Sequence, residues 1–138
     1  MKTKALFESF DEFIMNEIVT PQELNQIEKA ADSYFNRIGL DIEFTRHFLD
    51  RVNDPRNKRQ ITTQELMDIF KDAYNRYGLK LRDKDIDYEA VFKDMTSDIN
   101  SPFVLSYNRR SGDTELIMKT IMRKKGFKTP NDIYKLTT

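Results

Sequence analysis

Apolar residues recur at helical spacing through the first half of the chain and at alternate positions through much of the last third. Leu6, Phe10, Phe13, Ile14 and Ile18 lie near one helical face, which predicts a helix over about 6–17. Thr20-Pro21-Gln22-Glu23 opens a second helix: threonine caps it, proline is tolerated in its first turn, and Glu23 completes a capping box. Its apolar stripe runs from Leu24 to Ile38, and Gly39 ends it, giving 21–38. Phe44, Phe48, Leu49 and Val52 predict a third helix over 44–53, ended by Asn53-Asp54-Pro55 because the residue before proline avoids helical geometry. Thr62 and Glu65 open a fourth, 63–77, carrying Leu66, Ile69, Phe70, Ala73, Tyr74 and Tyr77, with Gly78 as its stop.

The period then changes. Pro102 to Tyr107 reads as a strand, Asn108 to Asp113 as a polar turn, and Thr114 to Met122 as the returning strand. Ile133, Tyr134 and Leu136 mark a third strand or a short helix, and residues 80–100 fit either state. Helices followed by strands predict an α+β fold, N-terminal helices leading into a small antiparallel β-sheet. Residues 18–138 are expected to form one domain, and residues 1–17 a leader-like amphipathic helix separable from it.

Composition narrows the chemistry. The 138 residues contain no cysteine and one histidine, which excludes disulfides, thiolate metal sites and cysteine nucleophiles. No cofactor is expected. No apolar run approaches the about 20 residues of a membrane helix, so no membrane partner is expected. The formal charge is zero but unevenly spread: residues 1–36 carry three lysines against seven acids, and residues 101–138 carry eight cations against three acids. A basic end on a neutral chain suits a polyanion-binding face, and it equally suits a solvated lysine-rich surface.

Three groups of residues carry candidate chemistry. His47 and Arg51 are four apart and share a helical face, pairing a side chain that titrates near neutrality with a guanidinium suited to phosphate. Strict alternation along 114–123 places Lys119 and Arg123 together, on the face opposite Leu116, Met118, Thr120 and Met122. Since a buried unpaired cation is costly, that face is expected to open on a cleft or on solvent. Arg56, Lys58 and Arg59, in the loop after the histidine helix, and Lys124 and Lys125, after the strand, would add phosphate-binding charge. Asp83, Asp85, Asp87, Glu89 and Asp94 fall at calcium-loop spacing, but Tyr88 stands where the sharp turn needs glycine, so an acidic loop is the expectation.

The run Thr45 to Arg51, followed by Ile61 to Leu66, resembles the start of small domains of the barnase–EndoU–colicin–RelE superfamily. Those carry a His-x-x-x-Arg helix, a second helix with a polar cap and then an antiparallel sheet. The resemblance spans about 44–125 and implies metal-independent RNA cleavage, with His47 as acid or base and Arg51, Lys119 and Arg123 on phosphate. The stretches His47 to Asn57 and Thr120 to Thr129 resemble hypothetical proteins of large tailed phages. Leu6 to Ile14 is similar to head-targeting leaders of phage internal proteins, whose protease cuts after Leu/Ile-x-Glu; here the triplet Leu6-Phe7-Glu8 precedes the Phe-rich helix instead of following it.

The resemblance therefore implies an RNase or toxin-like protein acting in the host cytoplasm or packaged in the virion. The alternative is a non-catalytic phage head protein that binds RNA, DNA or a host protein. Inhibition of a host enzyme through surface shape is a third class. In the nuclease reading the second proton-transfer group falls to Tyr107 or a carboxylate such as Asp50.

Overall fold

The structure is a computed structural model and describes residues 18–138; the expected helix at 6–17 and the leader assignment lie outside the described residues. Both capping boxes form. Helix α1 (Pro21–Phe35) starts with the Thr20 side chain accepting from the Glu23 backbone N–H, while the Glu23 carboxylate accepts from Thr20 N–H. A 3-10 turn (Asn36–Ile38) ends at Gly39, whose φ of 78° is the left-handed geometry that glycine adopts without strain. Helix α3 (Thr63–Arg82) opens with the matching Thr62–Glu65 box.

Three sequence expectations are corrected here. The third helix does not span 44–53: Phe44 ends strand β1 (Leu40–Phe44), with Leu40 and Ile42 buried, and helix α2 is only Phe48–Val52. Gly78 does not stop α3, which continues to Arg82. Gly78 is buried there, and a Cβ would crowd the Tyr74 ring of the preceding turn at 3.2 Å while only touching Ile38 at 3.5 Å. Third, the sheet is mixed, not purely antiparallel. Its strands, β2 (Glu89–Asp94), β3 (Ile99–Tyr107), β4 (Thr114–Met118), β5 (Met122–Arg123) and β6 (Asp132–Leu136), stand with β1 in the order β1-β4-β3-β2-β6. The three central strands are antiparallel, while β1 pairs parallel to β4 and β6 parallel to β2. Both outer strands are reached by crossovers rather than hairpins, and crossovers give parallel pairs. The α+β class stands.

One face of the sheet presents Ile42, Phe92, Phe103, Leu105, Leu116, Met118 and Leu136 to Ile27, Ala31 and Phe35 of α1 and Leu66, Ile69, Phe70 and Ala73 of α3. Phe92 stacks on Phe103 at 4.4 Å, with Tyr134 edge-on to both. The expected single strand 114–122 is interrupted. Phe103 pairs with Met118 and Asn100 with Met122, so Ser101 and Pro102 oppose three residues, Lys119, Thr120 and Ile121. This is a β-bulge, and one extra residue reverses which face the following side chains take. At its end Ile121 is buried in the core with Leu116 and Met118. Arg123 turns the same way, toward α3. Lys119 stays on the other face, where its ammonium pairs with Glu89 of β2 at 2.6 Å.

Candidate nucleic-acid groove

Because β1 and β4 run parallel with Phe44 opposite Met118, the segments that follow them leave the sheet side by side. Thr45 fixes them together. Its N–H donates to Met118 C=O and its hydroxyl to Lys119 C=O at 2.8 Å. That tie brings His47, at the start of α2, beside the bulge. With the 3-10 turn Pro55–Asn57, the β2–β3 turn and the segment after β5, these pieces enclose an open groove of about 1360 Å³.

All nine candidate residues line this one groove. His47 and Arg51 come from α2, Arg56, Lys58 and Arg59 from the loop after it, Lys119 from the bulge, and Arg123, Lys124 and Lys125 from the strand end and beyond. Among the described residues, the acids lining it are Asp54 and Asp98, against eight cations. His47 is exposed, and its imidazole makes no capping hydrogen bond to α2. Arg51 N–H donates to His47 C=O, so the two sit one helical turn apart as the spacing predicted.

The cations divide by what holds them. Arg123 is the exception to the expected open charge. Its side chain is only 9% exposed, and all five of its N–H donors are engaged. Two meet the Glu65 carboxylate at 2.8 and 3.0 Å, and the others reach the carbonyls of Arg59, Gln60 and Ser97. A guanidinium so committed has no donor left for phosphate, so Arg123 braces the groove wall. The bulge is the physical reason: it turns Arg123 away from the Lys119 face. Glu65 thus serves α3 and Arg123 together. Burial works to raise its pKa, but the hydrogen bonds from Arg123 and Thr62 outweigh it and the net shift is downward.

Asp54 holds Arg56 through three hydrogen bonds of 2.7–3.2 Å and Arg51 at 3.4 Å. The Arg56 side chain and backbone hydrogen bonds hold its carboxyl far below the usual carboxylate range, so it orients cations and is not a proton donor near neutrality. The ion pairs among the described residues include none of Lys58, Lys124 or Lys125.

Sequence reasoning missed Asn57, Glu65 and Ser97. Asn57 is buried, caps the end of α2 through the carbonyls of Arg51 and Val52, and accepts from Arg123 N–H. Its signal was weak: an asparagine in a polar loop ordinarily marks a turn. Neither candidate for a second proton-transfer group lines the groove. Tyr107 pairs with Thr114 at the far end of β3, eight residues and roughly 26 Å from Ile99 at a strand's rise per residue. Asp50 is exposed on α2 outside the groove. The calcium-loop spacing is not assembled: Glu89 holds Lys119, and the buried Asp94 accepts from Ser97 and Thr138.

A second charged region lies on β1 and β4 away from the groove. Carboxylate oxygens of Asp41, Glu43 and Glu115 all approach within 4.8 Å, close enough to share a cation or a proton. Partial burial, hydrogen bonding to Asp41 and the neighbouring acids push Glu43 up to about 8. On α1, Asp32 accepts from Ile42 N–H of edge strand β1 and is pushed up to about 6, chiefly by burial. Compared with known proteins, the chain matches no family model, no curated protein and no solved structure. Among the described residues no helix is long and apolar enough to cross a membrane.

Proposed function

We propose that the chain binds the phosphate backbone of RNA in the groove beside His47 and acts there as a metal-independent endoribonuclease of the RNase or toxin type. The observation that carries this reading is the convergence of His47 with seven uncommitted or outward-held cations in one groove, while Arg123 braces its wall. Polyanion binding needs cations held apart at the spacing of phosphates, and it needs no pocket for a base. Arg51, Arg56, Lys58, Arg59 and Lys119 on the walls meet the backbone, with Lys124 and Lys125 at the mouth.

In cleavage, His47 takes the ribose 2′-hydroxyl proton as that oxygen attacks phosphorus. The cations stabilise the charge that gathers on the phosphate oxygens. The groove is open, so water protonates the departing 5′-oxygen. The test is cleavage of an RNA oligonucleotide in chelator. Wild-type protein should cut, and His47→Ala should lose at least about 100-fold in rate while keeping its affinity, because a proton-transfer group acts on the transition state. Equal rates in the two proteins would end the nuclease reading.

A second reading has its own support: neither Tyr107 nor Asp50 lines the groove, and Asp54, which does, is held ionised by Arg56. In that reading the chain is a non-catalytic phage protein that holds nucleic acid in the virion or host cytoplasm. Binding without cleavage in the same assay is its expected result.

A further inference from the structure

We propose that the turn at Lys58 is a built phosphate clamp, and that Asn57 and the Arg123–Glu65 pair are the positioning residues that keep it in shape. This inference rests on the nucleic-acid reading of the groove. Lys58 has φ 65° and ψ −42°, and Arg59 N–H donates to Asn57 C=O at 2.7 Å across it. That is the geometry of a γ-turn of the rare, strained hand, at a residue with a full side chain. Strain of this kind persists only where the surroundings over-determine it.

Here they do. On one side, Asn57 is fixed by the carbonyls of Arg51 and Val52 and by Arg123 N–H. On the other, the Arg123 guanidinium holds the carbonyls of Arg59 and Gln60 and is itself locked by Glu65. The residue between these anchors lines the groove and takes part in no ion pair among the described residues. A lysine needs no unusual backbone to reach solvent. The brace instead fixes where its ammonium starts from, which cuts the ordering cost when a phosphate arrives. The ligand this clamp fits is a phosphodiester oxygen of RNA, contacted as a point charge.

The test uses the full chain and a fluorescent RNA oligonucleotide, with affinity measured against salt and melting temperature measured in parallel. Three variants separate charge from backbone. Lys58→Ala and Lys58→Gly should each weaken binding several-fold and flatten the log–log salt dependence by about 0.7, the share of one phosphate contact on a single strand. Lys58→Arg should retain both. Glycine relieves the turn and alanine does not, so Lys58→Gly should melt above Lys58→Ala while binding no better. Parent-like affinity and salt slope in both Lys58→Ala and Lys58→Gly would overturn the clamp while leaving the groove reading intact. If the parent itself shows no RNA binding, both fall.

Discussion

The groove and the β1–β4 carboxylate patch are the two charged regions built on the same pair of strands, and they solve like-charge crowding in opposite ways. The groove's cations are held by structural acids: Asp54 holds Arg51 and Arg56, Glu65 holds Arg123, and Glu89 holds Lys119. In the patch, Asp41, Glu43 and Glu115 meet one another, and partial burial together with those neighbours raises the Glu43 carboxyl. The groove therefore keeps its charge fixed and directed at neutral pH, whereas the patch adjusts its charge by holding protons. A site meant to grip an anion needs the first arrangement.

The largest effect that sharpens this contrast is expected at Arg123. Arg123→Ala removes the brace, takes from Glu65 its closest cation and leaves the carbonyls of Arg59, Gln60 and Ser97 without that donor. It should cost about 3–5 kcal/mol of stability in a denaturant melt, the range for breaking a buried pair from one side. A loss below about 1 kcal/mol would show that the brace is incidental.

The patch predicts a pH effect of opposite character. Glu43 and Asp32 are raised above the ordinary carboxylate range, so the folded state holds protons that the unfolded chain releases near pH 4. Their contribution is full below that pH and is lost as pH rises through about 6 and then about 8. Melting temperature should fall across this window, and Glu43→Gln should flatten the fall. A variant with the same pH profile as the parent would mean that the carboxylates do not share protons.

The smallest effect is expected at Lys119. Its pair with Glu89 is about half exposed on both sides. Lys119→Ala should change stability by less than about 1 kcal/mol and weaken RNA binding more visibly than it lowers the melting temperature. A loss of folding as large as that of Arg123→Ala would put Lys119 among the bracing residues.

Much of the helical half was legible because its signals are local. Thr20 with Glu23 and Thr62 with Glu65 each satisfy backbone donors within one turn, and both boxes form. The misses arose where partners are distant in sequence. Leu40, Ile42 and Phe44 do alternate, but the four-residue step from Phe44 to Phe48 reads equally as a helix, and only pairing with β4 decides it. Gly78 carries a stop signal, yet it is buried within α3, which continues to Arg82. The bulge comes from the register between β3 and β4 and leaves no local mark, so alternation carried past it misplaced Arg123. The nine candidate residues reach one groove because the parallel β1–β4 pair and the Asn57–Arg123 ties bring the segment from 47 to 59 against the segment from 119 to 125.

The most direct measurement is the affinity of the wild-type chain for a short RNA as a function of salt. Lys58, Lys124 and Lys125 alone supply three cations outside the ion pairs of the described residues. The log of the association constant should therefore fall with the log of salt concentration at a slope of about −2 or steeper. Absence of binding at low salt, or an affinity indifferent to salt, would contradict a phosphate-gripping groove.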